Sequence, residues 1–396
     1  MSNKKITAIT DCLMDGEKTV KAAIEYEKEI NKESLNIGDF EVQGRKITDM
    51  YVSDSIMGEK LSCGRFVILV LDPDSPEADI VWSPPKPPQG PPPPKQWRAP
   101  RVVVSQKSGI KTADGSIIEA FEAEKNTKVK EPVIEDFIQN EYKGLKYNLY
   151  VPKAYDSEKK YPLVQFIGDI GANGDEVLMS LAQGNGGVVW AKEDVQSKNP
   201  CFVLVPQIPF KEIVTIDCTC DPVVDTVDEI LWHITDEYSI DTERIYLTGQ
   251  SQGCMTACEL NLRHTGKYAA SLLVAGQWDV ERIGRECSGE NFWIIVSEGD
   301  TRAYPTMKAT VEALETNGAK VGRYIWDATW SRKELEEAAQ KAAEDDVNIR
   351  FSVFKGDTIL IDRESGRQKY RHHHAATWPL AYTIDAVKTW MFSCKK

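Results

Sequence analysis

The sequence predicts a mostly parallel sheet with helices on both faces, preceded by a small all-β sandwich. Three observations carry this. At 396 residues the chain exceeds what one hydrophobic core usually organises. Its first part is built of short β-type segments, and from about Phe137 strands and helices alternate to the C-terminus.

In the front part the β-type segments are Lys5 to Ile9, Thr19 to Tyr26, Phe40 to Val42, Lys46 to Val52 and Arg65 to Leu71, all rich in β-branched and aromatic residues. Turn chemistry separates them: Asp15-Gly16, Asn36-Ile37-Gly38 and Asp72-Pro73-Asp74. Short strands at that spacing suggest a sandwich. The proline-rich stretch Pro84 to Pro94 cannot enter a sheet interior and reads as a stiff loop or edge cover. Arg101 to Ser105 looks like a last strand. The expected division is a sandwich over 1–108, a connecting segment over 109–132 and a second domain over 133–396.

In the second domain, Lys146 to Val151 is a strand, and Leu163 to Ile167 and Cys201 to Val205 are continuous apolar runs, as strands buried on both faces require. Pro222 to Tyr238 places apolar residues at helical spacing with Asp225, Asp228 and Glu229 outward. Strands are expected at Arg244 to Thr248, Ala270 to Val274 and Phe292 to Val296. Helices are expected at Cys254 to His264, Met307 to Gly318, Ser331 to Asp345 and Ala381 to Phe392.

Composition narrows the function classes. A formal net charge of −13 repels phosphate backbones and anionic lipid heads, so nucleic acid and membrane surfaces are poor partners. No apolar run approaches the roughly 18–20 residues of a membrane span. Met1 to Asp11 has two lysines and no apolar stretch of the signal-peptide kind, so the chain reads as cytoplasmic as written, or as secreted if a leader was removed. The nine cysteines include Cys218-Thr219-Cys220 and the pair Cys254 and Cys258, but no set at zinc-ligand spacing. They read as buried or idle thiols, and no metal or cofactor is expected.

The chemistry is carried by Gly249-Gln250-Ser251-Gln252-Gly253, a G-x-S-x-G pattern between a strand and a helix. A serine hydroxyl is a weak nucleophile and must be held clear of the backbone beside a base. A sharp strand-to-helix turn does this, but it crowds the positions two before and two after the serine, so both are glycine. The pattern predicts an α/β-hydrolase with Ser251 as nucleophile.

In that fold the partners follow in the order serine, acid, histidine. His233 precedes the serine, and His264 ends the same helix. His372, His373 and His374 remain, in an expected loop before the last helix; His374 is the first choice and His373 the reserve. Three consecutive histidines cannot all point one way, which argues against a metal site. Asp300, at the end of the Phe292–Val296 strand, is the candidate acid, with Glu298 and Asp279 as rivals; capping the next turn is its other possible use. The oxyanion donors would be the N–H of Gln252 and one from the loop Gly168 to Gly174, with Ile170 preferred. That loop lacks a following Lys-Ser/Thr pair, so a nucleotide site is disfavoured.

The runs Tyr161 to Asp175, Phe202 to Gln207 and Ser239 to Gly249 resemble the esterase-D and polyhydroxybutyrate-depolymerase-like hydrolases. With its β-rich front, the whole chain resembles bacterial esterases that carry an N-terminal immunoglobulin-like domain. The resemblance implies that His374-Ala375-Ala376-Thr377-Trp378 is the family's H-x-x-[ST]-W and that Asp300 is its acid. Two positions depart from the pattern: Gly168-Asp169 stands where His-Gly is usual, and Gln252 where methionine is usual. The 74-residue span from Asp300 to His374 leaves room for a cap built on Ser331 to Asp345 with Trp326 and Trp330.

The expected function is hydrolysis of carboxylic esters, short to medium acyl or aromatic, small or polymer-attached. A serine peptidase of the same fold and a binding or assembly protein with a degenerate site are the alternatives. A homo-oligomer through the front domain is a further expectation.

Overall fold

The computed structural model describes residues 5–84, 95–209, 211–363 and 369–396, and the chain divides into two compact units, Met1–Glu135 and Asp136–Lys396. The proline-rich stretch, beyond Pro84, lies outside the described residues.

In the front unit a five-stranded sheet runs in the order Lys128–Lys130, Lys5–Leu13, Gly16–Asn31, Cys63–Leu71, Ile47–Ser53, and a three-stranded sheet in the order Phe121–Lys125, Val103–Gln106, Phe40–Val42. Alternate side chains of each sheet point into one core, where Ile6, Ile24 and Leu69 meet Phe40, Val42 and Val104. Gln106 is fully buried there and satisfied: Tyr26 Oη donates to its Oε1 at 2.8 Å, and its Nε2 donates to the Ser108 carbonyl at 2.7 Å.

Residues 109–132, expected as a connecting segment, belong instead to this unit. Phe121–Lys125 pairs with Val103–Gln106, and Lys128–Lys130 adds a parallel strand beside Thr7 to Ile9. Both are short strands at sheet edges. Glu and Lys alternate there with few apolar residues, as edges exposed to water permit.

The second unit is one nine-stranded sheet. Its order is Phe137–Tyr142, Leu145–Tyr150, Phe202–Pro206, Tyr161–Ile167, Ile240–Gln250, Ala270–Val274, Phe292–Ser297, Ile349–Phe354, Val321–Trp326. The first two strands are antiparallel to their neighbours and the rest run parallel. Period-two alternation explains why the central strands are apolar throughout. Leu163 and Ile167 pack with the helices Val223–Glu237 and Gln252–Arg263, while Phe166 on the other face meets Tyr382 edge-on at 5.7 Å. On that second face Tyr246 meets Phe392 and Trp293 meets Trp390, which seats the helix Asp385–Ser393.

Two expectations change here. The helix Arg332–Glu344 is no cap: it is the crossover joining Val321–Trp326 to Ile349–Phe354, and it packs on the former strand and on Asp385–Ser393. Trp326 is 1% exposed, set against Trp293 and Phe354, so it contributes to the core. The long span between Asp300 and His374 is filled by two additional strands. His373 and His374 do not sit in a loop either, because they open the helix His373–Ala381.

Candidate active site

The strand Ile240–Gln250 ends in a turn so tight that Ser251 takes φ +53° and ψ −118° before the helix Gln252–Arg263 begins. A non-glycine residue there stores on the order of 1–3 kcal/mol of strain, which only a surrounding structure that fixes the bend can sustain. Both flanking glycines are needed for space. A Cβ at Gly249 would sit 2.4 Å from the backbone of Gly253, and one at Gly253 would sit 1.9 Å from the Ile167 carbonyl oxygen. The bend puts the hydroxyl at a helix N-terminus, where free N–H groups favour negative charge.

The structure brings Ser251, His374 and Asp300 together. Ser251 Oγ lies 2.8 Å from His374 Nε2, and His374 Nδ1 lies 2.5 Å from Asp300 Oδ2. Asp300 is 5% exposed, while the His374 side chain is 41% exposed, so the carboxylate is sealed and the imidazole is open to solvent. Asp300 Oδ1 accepts from the N–H groups of Arg302 at 3.2 Å and Ala303 at 3.0 Å. The capping use and the histidine use of this carboxylate therefore coexist, one oxygen to each. Burial works to raise the Asp300 pKa, but the His374 hydrogen bond and charge, with the two backbone N–H groups, hold it below the ordinary carboxylate value. Trp378, one turn along the helix, meets the His374 ring edge-on at 5.0 Å.

The other candidates are engaged elsewhere. Glu298 accepts from the Gly356 N–H, and Asp279 caps the helix Val280–Glu286. His264 Nε2 faces Asp228, and His233 stacks on Tyr142. His373 bridges Ser297 and Asp357, and the side chain of His372 makes no cap bond to the helix it precedes.

Ile170 begins a single 3-10 turn directly after the strand Tyr161–Ile167, and Gln252 is the first residue of the helix after the serine. Neither backbone N–H has an acceptor among the described residues. The Gly168-Asp169 departure has a visible consequence. Asp169 Oδ1 accepts from the Gly171 N–H at 2.8 Å, and Oδ2 accepts from Gln250 Nε2 at 3.0 Å. Gln183 Oε1 accepts from both the Asp169 N–H and Gln250 Nε2. Across the loop, Asn173 Nδ2 donates to Gln252 Oε1 at 2.8 Å. The support given by Gln183 and Asn173 has no sequence signal, because a buried amide is ordinary until its partners are known.

Among the described residues no group of three or more His, Cys, Asp or Glu is arranged to hold a metal ion, and no helix is long and apolar enough to cross a membrane. A surface cavity of about 150 Å³, lined by Lys143, Leu145, Gln207 and Val223 among others, includes none of Ser251, Asp300 or His374.

A nine-stranded, mostly parallel sheet with a strained serine bend, a histidine and a buried acid is the architecture of the α/β hydrolases. Residues 5–119 match the family model of the esterase Ig-like N-terminal domain. The chain thus has the α/β-hydrolase fold, preceded in sequence by a β-sandwich domain that is similar to the immunoglobulin-like N-terminal domain of esterases. Among solved structures it is similar to a thermostable esterase, with a TM-score of 0.82 and 24% identity over 99% of this chain and 100% of that one. Looser similarity extends to a ferulic acid esterase (TM-score 0.41, 14% identity, 65% of this chain and 98% of that one). It also extends to the feruloyl esterase module from Clostridium thermocellum complexed with sinapinate (TM-score 0.42, 13% identity, 65% and 87%). None of the curated proteins compared matches the chain.

Proposed function

We propose that this chain is a serine carboxylic ester hydrolase working through an acyl-enzyme, on short to medium acyl or aromatic esters. The observation that carries the proposal is the unbroken hydrogen-bonded line from Ser251 Oγ through His374 to Asp300 Oδ2, at a strained strand-to-helix bend. The esterase character of the front domain, and the esterase to which the whole chain is similar, favour esters over amides.

In this mechanism Ser251 Oγ attacks the ester carbonyl while His374 Nε2 takes its proton. Asp300 holds the Nδ1–H tautomer and stabilises the imidazolium. The oxyanion is received by the Gln252 and Ile170 N–H groups. Collapse expels the alcohol, protonated by His374. Water, deprotonated by the same imidazole, then attacks the acyl-serine and releases the acid and free enzyme.

The test is turnover of a p-nitrophenyl acyl ester. Ser251→Ala should lose roughly 10³-fold or more in kcat, and His374→Ala should match it. His372→Ala should stay within about threefold, since that side chain takes no part in the proposed machinery. Equal losses at His372, His373 and His374 would count against the assignment. A folded protein that resists fluorophosphonate labelling at Ser251 would point instead to a binding role. Faster turnover of a matched peptide amide would point to a peptidase. A panel of acyl chain lengths, acetyl-sugar and feruloyl esters reads the acyl preference.

A further inference from the structure

The helix His373–Ala381 begins with two histidines, and only the second faces the serine. The first is not idle. His373 Nδ1 lies 3.0 Å from Ser297 Oγ, and its Nε2 lies 3.1 Å from Asp357 Oδ1. Its ring also rests on Gly299: a Cβ there would come within 2.2–2.4 Å of ring atoms Cε1, Nδ1 and Nε2, and of nothing nearer. Ser297 ends the strand Phe292–Ser297, and its carbonyl accepts the Asp300 N–H at 3.0 Å. The His373 ring therefore touches both residues that set the turn carrying Asp300, and its backbone is bonded directly to His374.

We propose that His373 is a positioning residue, pinning the Ser297–Asp300 turn to the start of the helix so that Asp300 and His374 stay in register; this rests on the hydrolytic reading of Ser251. The asymmetry of its two contacts says which one matters. Asp357 is 86% exposed on its side chain, and a contact to a carboxylate so open to water contributes little. Ser297 is fully buried, so its hydroxyl depends on the imidazole. Because the Asp357 carboxylate only accepts, the neutral ring carries its hydrogen on Nε2, and Nδ1 accepts from the Ser297 hydroxyl. Gly299 is glycine to make room for the ring. Its φ is outside the left-handed region, so it is space and not backbone conformation that calls for glycine there.

The two amides separate the arms. In His373→Asn the side-chain oxygen falls near the place of Nδ1 and can take the Ser297 hydrogen bond, whereas His373→Gln reaches toward Asp357 and leaves Ser297 alone. The experiment measures kcat, KM and Tm on a p-nitrophenyl ester for His373→Ala, His373→Asn, His373→Gln, Gly299→Ala and the Gly299→Ala/His373→Ala double variant, with Ser251→Ala as the reference. His373→Ala and His373→Gln should lose about 10- to 100-fold in kcat with KM within about twofold, the signature of a misplaced catalytic pair. His373→Asn should recover to within about threefold of wild type. Gly299→Ala should lose as much as His373→Ala, and the double variant no more than either.

Kcat within twofold for His373→Ala, with Ser251→Ala inactive, overturns the proposal. So do losses at 299 and 373 that multiply, or a kcat loss that follows Tm and that asparagine does not restore. Turnover by Ser251→Ala overturns the hydrolytic reading itself, and this inference with it.

Discussion

Asp300→Asn isolates the role of the acid with almost no change of shape, and the surrounding hydrogen bonds dictate how the new amide must lie. Asp300 Oδ1 accepts from two backbone N–H groups, those of Arg302 and Ala303. An amide nitrogen there would face two donors, so Asn must keep its oxygen on that side. Its NH₂ is then forced to the other side, against His374 Nδ1, where the carboxylate now stands at 2.5 Å. A donor at that place makes Nδ1 an acceptor and moves the ring hydrogen to Nε2, facing Ser251. The imidazole then cannot take the serine proton. In serine triads generally, this wrong-tautomer substitution lowers kcat by about 10⁴-fold, equivalent to about 5.4 kcal/mol of transition-state stabilisation. The assay is kcat on p-nitrophenyl acetate near pH 7.5, with the folded fraction checked by circular dichroism. A loss of less than tenfold in a folded protein would show that Asp300 does not set the tautomer.

Three further outcomes follow from local geometry and charge. Because the folded Asp300 binds a proton less readily than the unfolded one, its contribution to stability is present above the ordinary carboxylate pKa of about 4 and is lost as pH falls through the lower folded value. Chemical denaturation of wild type and Asp300→Ala should therefore differ more at pH 7 than at pH 3, and an equal gap at both would refute this. In the front unit the sign is opposite. Burial first, with Glu131 and Asp11 adding to it and the Thr10 hydrogen bond opposing, pushes the Glu17 carboxyl up to about 7, so its stabilising effect is complete below pH 4.5 and declines as pH rises toward 7. Glu17→Gln should then stabilise the front unit at pH 8 by up to about 3 kcal/mol and change little at pH 4; destabilisation at pH 8 in urea melts would refute it. Finally, Gly253→Ala should cost about 3 kcal/mol or more or yield no soluble protein, since the Ile167 carbonyl cannot yield without moving the loop beyond it. A normal urea midpoint would contradict that.

What was legible in the sequence was what depends on local pattern. Leu163 to Ile167 and Ala270 to Val274 are apolar runs because both sheet faces are covered, and period and length sufficed to find them. The glycines at 249 and 253 announce the bend through the space they vacate. The edge strand Lys128–Lys130 was illegible because half its surroundings are water, which leaves no apolar signature. The supposed cap failed for another reason. An amphipathic helix flanked by tryptophans reads alike whether it covers a cleft or a sheet, and only the pairing of Val321–Trp326 with Ile349–Phe354 distinguishes them. Among the histidines, sequence order could narrow the field to three neighbours. Which of them meets the serine depends on helix phase, because at about 100° per residue consecutive side chains diverge.

The same dependence on distant partners explains how a carboxylate can stand beside the proposed oxyanion site. A free charge at Asp169 would oppose a developing oxyanion, but both of its oxygens already accept hydrogen bonds, from Gly171 N–H and Gln250 Nε2. Those donors place positive hydrogens against the carboxylate, so much of its field is spent locally. They also join parts of the chain that sequence keeps apart. Gln250 precedes Ser251 and is tied to Asp169, which precedes Ile170; Gln252 follows Ser251 and is tied to Asn173, which ends the same turn. The two N–H groups proposed to receive the oxyanion thus sit on segments fastened to each other on either side of Ser251. Oxyanion donors are effective in proportion to how little they must reorganise. On that ground Asp169 serves the proposed site by fastening Ile170's turn to the bend at Ser251.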